Sequence, residues 1–505
     1  MKKNKIEEFF YKIYKWSPPT ILLISALLII SLFATFLKFN LDNDFWFIIN
    51  TGKYIINNGF PTVEPFTIHS DLEFVVQQWL TDIIFYLTYS KIGIYGMLAL
   101  MTILNSIIFI LLYKICKLIS GNKIKLSFVI TMITGLIITF FYINTRPQIF
   151  DILFFLLELY LLELYINKKK NIYLLGLPLI SIFMINLHAS TWLMLFVFMV
   201  PYFIDGIINL KFFDKEKYKI IPLIITTIIM FTVGLINPYG VEAITYLFRS
   251  FGIEAINEMV YEMRTTSINQ EIGMVTFIYI LFILFTFYFN KKNKIKLRYL
   301  LLFFGTCYLA LSHNKGILYL LVVGSLPIIY NLKNIAIVDK NEFIYTSKNK
   351  NIILIFGILI FIIIYGYMVY KSNLNLENKN SISSIVDYLD KIANKDIKLY
   401  TGYDDGGYLE YRGYKCYLDP RAEVFLKSNN KKEDIFLEYY YLQEGFLNYK
   451  EFLEKYNFDY LLVSNKDILY QLLDNEENYR YITEMSVGYF EDGRQFSYRL
   501  YIRRG

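Results

Sequence analysis

Asp42 and Asp44, separated by Asn43 and followed by Phe45-Trp46-Phe47, are the residues of this chain best placed to do chemistry. They come directly after residues 18–37, an apolar run long enough to cross a bilayer. Hydrocarbon does not tolerate unpaired carboxylates, so the pair must face water, a cation or a polar substrate. Three roles fit the spacing. A carboxylate can act as general base on a hydroxyl. The D-x-D oxygens can hold a divalent cation such as Mg or Mn. Either side chain can also cap the helix that follows. Asp44 is the first choice as base, with Asp42 next.

Few basic residues accompany this pair on the same side of the membrane. Arg146, followed by Pro147, stands at a membrane mouth, and Arg264, Lys315 and Arg249 fall in other outer segments. A guanidinium or ammonium in such a place can hold phosphate; for Arg146 the alternative is a snorkelling interfacial role. The chain has three histidines, His69, His188 and His313. His188 and His313 flank short outer turns and are candidates for the phosphate side, with turn capping as the alternative. Their scatter argues against a zinc site. Trp46, Trp79 and Asn237 are expected to line the substrate cavity. Glu158 falls mid-span, seven residues after Asp151 and on the same helix face. It must face the bundle interior or carry a proton, and a bond to another span is expected. Asp404-Asp405-Gly406-Gly407 and Asp419-Pro420-Arg421 read as a turn and an internal ion pair, with acceptor contact as the alternative.

The elements that position these residues follow from hydropathy. The chain has 505 residues, of which 19% are charged, with 45 Tyr and 44 Phe, and its mean hydropathy is +0.40. This is the composition of a polytopic membrane protein. The net charge of +7 is dispersed among loops and does not form a nucleic-acid-binding patch. Three cysteines, Cys116, Cys307 and Cys416, show neither a disulfide framework nor metal-ligand spacing. Requiring about 17–25 apolar residues per span predicts about 11 spans, near 18–37, 93–113, 127–143, 148–166, 172–187, 190–208, 220–236, 272–290, 299–311, 317–331 and 352–370. Lys and Arg concentrate in every second loop, from Lys2, Lys3, Lys5, Lys12 and Lys15 onwards. By the positive-inside rule the N-terminus is then cytoplasmic and the C-terminus extracytoplasmic.

Residues 1–371 are thus expected to form an all-α polytopic membrane domain. Its first outer loop, about 38–92, should carry a helix over 44–57, stopped by Asn58-Gly59-Phe60-Pro61. An amphipathic interfacial helix is expected over 75–90. Residues 372–505 are expected to form a small extracytoplasmic α+β domain. Strands are expected in 397–411, 415–425 and 459–464, with a hairpin over 482–504 turning at Asp492-Gly493. Helices are expected near 382–394, 430–456 and 466–474.

An ordered series of short motifs carries a family resemblance. The chain has D-N-D-F-W from Asp42, then Thr51-Gly52, Gly59-x-Pro61 and Gln78-Trp79-Leu80. Arg146-Pro147-Gln148, Asn186-Leu187-His188, Asn237-Pro238-Tyr239-Gly240, Gly406-Gly407-Tyr408 and Asp419-x-Arg421 follow. The chain resembles the bacterial GT-C membrane glycosyltransferases. These are relatives of protein O-mannosyltransferases, lipid A aminoarabinose transferases and the oligosaccharyltransferase catalytic subunit. The resemblance covers nearly the whole chain. It implies a GT-C-like fold in a bacterial cell membrane, a polyprenyl-phosphate-linked sugar donor and an extracytoplasmic glycan, protein or lipid acceptor. It also implies a carboxylate in the first outer loop. The family pattern has a His after the paired aromatics and a His-Glu pair before the Trp-Leu; this chain has Ile48 and Gln77-Gln78 there. A degenerate scaffold for envelope assembly and a lipid or polysaccharide flippase, the latter suggested by Glu158, are the competing classes.

Overall fold

The computed structural model describes residues 19–208, 213, 216, 218–250, 252–290, 294–333, 382–489 and 495–504. Helix α1 runs Pro19–Lys38, α2 Asp44–Asn58, α3 Trp79–Ile92, α4 Ile94–Ile119, α5 Ile124–Tyr142 and α6 Gln148–Lys168. They are followed by α7 Gly176–Leu187, α8 Leu193–Ile207, α9 Ile220–Val233, α10 Glu271–Phe289, α11 Leu297–Ser312 and α12 Asn314–Leu332. Each of the first ten expected spans is helical, and the eleventh, 352–370, lies outside the described residues. Five helical segments among the described residues are long and apolar enough to cross a membrane: Ile94–Ile119, Ile124–Tyr142, Ala189–Ile207, Glu271–Tyr288 and Asn314–Leu332. The protein is a membrane protein.

Two helices between α1 and α4 support the D-x-D pair. Just before α2 the Asp42 carboxylate accepts the Asp44 N–H at 3.1 Å, an Asx-type turn that leads into the helix. The helix ends before Gly59, whose φ of 84° suits glycine. Helix α3 lies against α2 at Gly52, where a Cβ would come within 2.1 Å of the Asp82 carbonyl oxygen. The polar residues of α3 were expected to face water. Instead Thr81 and Asp82 are buried, and the Thr81 hydroxyl donates to the Leu187 carbonyl at 2.7 Å. The helix starts at Trp79, four residues later than the sequence suggests, because Gln77 and Gln78 belong to the cavity wall described below.

Arg298, at the start of α11, is buried among the helices. It donates to Glu163 at 2.9 Å, Asp205 at 3.1 Å and Glu216 at 2.9 Å.

The C-terminal part is α+β. Strands β1 Lys398–Thr401, β2 Lys415–Cys416, β3 Tyr460–Ser464, β4 Tyr479–Tyr489 and β5 Gln495–Arg503 form one sheet in the order β2-β1-β3-β5-β4. The β1 pairings with β2 and β3 are parallel, and β5 runs antiparallel to β3 and β4. The expected hairpin is therefore present; its turn lies outside the described residues. Two expected strands are much shorter than predicted. Residues Gly406–Tyr411 form a helix (α13), and Ala422–Phe425 form a single 3-10 turn. The periodicity of TGYDDGGYLEY was misleading because Gly406 lies on the Leu418 carbonyl, where a Cβ would stand at 2.0 Å, an approach made by helix packing. The expected helix over 430–456 is two, Ile435–Gln443 and Tyr449–Tyr456, separated at Gly445 with φ 75°. The helix near 466–474 shrinks to Leu469–Leu472 and a 3-10 turn.

This domain docks on the segment between α1 and α4. The Ile68 N–H donates to the Cys416 carbonyl at 3.0 Å, and His69 Nε2 lies 2.7 Å from the Tyr417 carbonyl. Trp46 packs edge-on to Tyr408, with ring centroids 4.9 Å apart. Arg421 pairs with Asp419, as the sequence suggested, and also reaches Glu64 at 2.8 Å across the junction. Burial opposes ionisation of Glu64, yet Arg421 and Thr67 hold its carboxyl below the usual range.

Candidate active site

Between the helical domain and the docked C-terminal domain lies a cavity of about 700 Å³. Its wall is built from many separate segments. The start of α2 gives Asp42, Asp44, Phe47 and Ile48, and the approach to α3 gives Gln77 and Gln78. The approach to α6 gives Arg146 and Gln148, the turn after α7 gives His188 and Ser190, and the segment before α10 gives Glu262 and Arg264. Lys315 comes from the start of α12, while Tyr403, Asp404, Glu423 and Lys466 come from the C-terminal domain.

Arg146 sits at the centre of the acidic part. Its guanidinium lies 2.6 Å from Asp42 Oδ1, 3.2 Å from Asp44 Oδ2 and 2.5 Å from Glu262 Oε1. Gln148 holds Glu262 by donating from Nε2 at 3.1 Å. The Asp42 N–H donates to the Thr145 hydroxyl at 3.1 Å, which fixes the loop carrying Arg146 against the start of α2. Burial, chiefly, lifts the Asp44 carboxyl well above its ordinary range; Arg146 opposes this, and Asp42, Glu262 and Asp404 add to it. A carboxylate so tuned is a stronger base than a free aspartate. Asp404 is also raised, again chiefly by burial.

Arg146 was expected to hold phosphate, but its charge is already shared among three carboxylates. The freer cations are elsewhere in the cavity. Lys315 makes no hydrogen bond or ion pair among the described residues. Arg264 donates only from Nε, to the Glu258 carbonyl at 2.6 Å. Backbone ties join their segments: the Asn314 N–H donates to the Arg264 carbonyl at 3.0 Å, and Asn314 Nδ2 donates to the Tyr261 carbonyl at 3.0 Å.

His188 lines the cavity with both ring nitrogens engaged. Nδ1 lies 2.7 Å from buried Asp151 Oδ2, and Nε2 lies 2.8 Å from Ser190 Oγ. Asp151 also accepts from the Thr191 hydroxyl at 2.8 Å. A carboxylate on Nδ1 fixes the tautomer that leaves Nε2 to accept from Ser190. The arrangement can pass a proton inward from Ser190, but the ring has no nitrogen left for phosphate.

Other candidates lie outside the cavity wall. His313 sits at the turn between α11 and α12, where its carbonyl accepts the Gly316 N–H at 2.9 Å. Arg249 pairs with Glu242. Trp46 packs against Tyr408 and Tyr411 behind the wall. Trp79 donates from Nε1 to Asn186 at 2.8 Å. Asn237 closes its own turn, donating to the Gly234 and Gly240 carbonyls at 3.0 Å. Expected to line the substrate cavity, Trp46, Trp79 and Asn237 instead brace the elements behind it. Glu158 is fully buried and, contrary to expectation, neither oxygen finds a hydrogen-bond partner among the described residues. Asp405 accepts from the Tyr498 hydroxyl at 2.9 Å and does not face the cavity.

Sequence reasoning missed Glu262, Gln148, Ser190 and Lys466. Nothing in the spacing of Glu254, Glu258 and Glu262 marks the third as special. Its role comes from the fold bringing it beside Arg146.

The fit of a divalent cation to Asp42 and Asp44 depends on this same geometry. Their oxygens, with that of Glu262, already converge on the Arg146 guanidinium. Among the described residues, no group of three His, Cys, Asp or Glu side chains is arranged to hold a metal ion. As arranged, the residues do not fit a metal.

Solved structures of the oligosaccharyltransferase of Archaeoglobus fulgidus share this architecture. Its apo form matches with TM-score 0.58 at 11% identity, over 90% of this chain and 70% of that one. The fold is similar to that of this oligosaccharyltransferase. The same enzyme tethered to an acceptor peptide containing the NVT sequon gives TM-score 0.56 at 12% identity, over 99% and 75% of the two chains. Its complex with Zn and sulfate gives 0.54 at 10% identity, over 94% and 72%. At these identities the likeness is one of fold. No protein-family model and no curated protein matches the chain.

Proposed function

We propose that this chain is an integral membrane glycosyltransferase that moves a sugar from a polyprenyl-phosphate-linked donor to an extracytoplasmic acceptor. The observation that carries the reading is the cavity, on an oligosaccharyltransferase fold, in which a tuned carboxylate at Asp44 shares a wall with the cations Lys315 and Arg264. The acceptor oxygen forms a bond to the anomeric carbon as the bond from that carbon to the phosphate oxygen breaks. The phosphate leaves with the electron pair, the configuration inverts, and the acceptor's proton passes to Asp44. Lys315 and Arg264 receive the phosphate charge. Asp404, Tyr403 and Lys466 line the same cavity from the C-terminal domain, and this reading assigns that wall to the acceptor. In this reading the chain sits in a bacterial cell membrane, N-terminus cytoplasmic and C-terminal domain outside, and glycan, protein and lipid acceptors all suit the open side. A similar enzyme from Archaeoglobus fulgidus was captured with an acceptor peptide, which supports an acceptor reaching this side.

The test uses purified full-length protein in nanodiscs, radiolabelled polyprenyl-phosphate sugars and membrane extract. Label leaving the lipid with wild type but not with Asp44→Asn supports transfer. Equal transfer by both removes Asp44 from the mechanism, and no transfer from any donor in the presence of a competent acceptor extract favours the scaffold reading.

A further inference from the structure

We propose that the Arg146 guanidinium occupies the place of a divalent cation in this site, so that the wild-type cluster takes no metal ion. Removing the guanidinium should turn Asp42, Asp44 and Glu262 into a metal-binding set. The inference deepens the transferase reading by assigning the cation of the same site.

The argument begins with charge. Three carboxylates gathered at one point repel one another unless a cation lies between them. Here Asp42 and Asp44 come from the start of α2 and Glu262 from a distant segment, and each has an oxygen within 3.2 Å of the same guanidinium. A hard dication asks for the same partners, carboxylate oxygens at roughly 2.0–2.6 Å. The guanidinium is held in register from both sides. Pro147 and the start of α6 fix the chain after it, and the Asp42 N–H bond to Thr145 fixes the chain before it. Gln148 pins Glu262 toward the same point. The arrangement is therefore built around Arg146.

Access separates this cluster from the others of its kind. The Arg298 and Arg421 side chains are 1% and 4% exposed, whereas that of Arg146 is 24% exposed and opens on the cavity. Of these three guanidinium sites, the one at Arg146 opens on the cavity, so an ion entering there can reach the carboxylates once the guanidinium is gone. Unlike a bound metal, a guanidinium cannot be withdrawn by a chelator and stays charged across the accessible pH range.

The experiment titrates Mn²⁺ into full-length protein in detergent, without donor or acceptor, and follows free Mn²⁺ by electron paramagnetic resonance. Wild type should leave the free signal unchanged. Arg146→Ala should take up one Mn²⁺ per chain, and adding Asp42→Asn to that variant should abolish the uptake. Saturable binding by wild type that is lost in Asp42→Asn or Asp44→Asn overturns the proposal. So does a folded Arg146→Ala that takes up none. Should Arg146→Ala not fold, the wild-type titration alone decides whether the native cluster takes a metal. Because no sugar transfer is measured, failure here leaves the transferase reading standing, and failure of that reading leaves this result readable.

Discussion

Arg146 and Arg298 face the same company in opposite surroundings. Each guanidinium meets three carboxylates: Asp42, Asp44 and Glu262 in one case, Glu163, Asp205 and Glu216 in the other. The Arg298 guanidinium is buried with Glu163 and Asp205, Glu216 alone of the three carboxylates being partly exposed, and Tyr299 adds a hydrogen bond to Glu163 at 2.9 Å. Arg146 stands at the edge of a cavity. Charge composition is thus no guide to role, and access decides. In the buried cluster, removing one partner strands the rest in a low dielectric, so the cluster acts as a staple. In the open cluster, water and substrate can reach the carboxylates, so the same charges are available for chemistry.

The comparison breaks most sharply if the open cluster proves merely structural. Asp44→Asn is expected to lower turnover by about 10²–10⁴-fold, with the melting temperature of the purified protein unchanged. The raised Asp44 carboxyl also sets the sign of the pH dependence. Activity should fall on acidification, and its acidic limb should lie above about pH 4, the usual aspartate range; a limb at the ordinary value would deny the tuning. Next comes the buried cluster. Arg298→Met should cost about 3–5 kcal/mol of stability, read by denaturation, while each molecule that still folds transfers sugar at the wild-type rate.

Glu158 sharpens the contrast as a buried carboxylate with no partner among the described residues. Glu158→Leu should stabilise the protein by about 1–3 kcal/mol, the cost of an unsatisfied buried polar group, and leave transfer intact. Loss of transfer would instead give Glu158 a functional part and revive the flippase class. The smallest effect is expected at Asp405. Burial chiefly, with Asp404 beside it, lifts its carboxyl to about 7 against the bond from Tyr498. The folded state therefore keeps a proton that the unfolded chain releases near pH 4. That contribution is whole below about pH 4 and is lost as pH rises to about 7. Asp405→Asn should leave the melting temperature near pH 4 unchanged and raise it at pH 7 to 8, flattening the profile between.

Much of the fold was legible because the bilayer imposes a simple rule. Long apolar stretches become helices, and ten of the expected segments are helical. The helix after the D-x-D pair, its Gly59 stop and the terminal hairpin also follow from local signals. Local signals failed where a close approach outweighed propensity, as at Gly406 on the Leu418 carbonyl. They failed again on α3, whose polar residues serve protein contacts and not water. For the site, Asp42, Asp44, Arg146, Arg264, Lys315 and His188 do line one cavity, while Trp46, Trp79, Asn237 and His313 do not. An aromatic or amide side chain beside a motif can as easily brace the neighbouring helix as meet a ligand.

By itself the sequence determined what a one-dimensional pattern can carry. That comprises a chain rich in apolar helices, a carboxylate pair after the first of them and an α+β C-terminal part. Hydropathy and spacing are properties of neighbours along the chain. The tertiary structure alone decided that Glu262 joins Asp42 and Asp44 around Arg146, and that His188 is already engaged by Asp151 and Ser190. It also decided that Arg298 is buried against Glu163 and Asp205. Each of these depends on which distant segments meet and on how much water is left between them, and neither is written in local spacing.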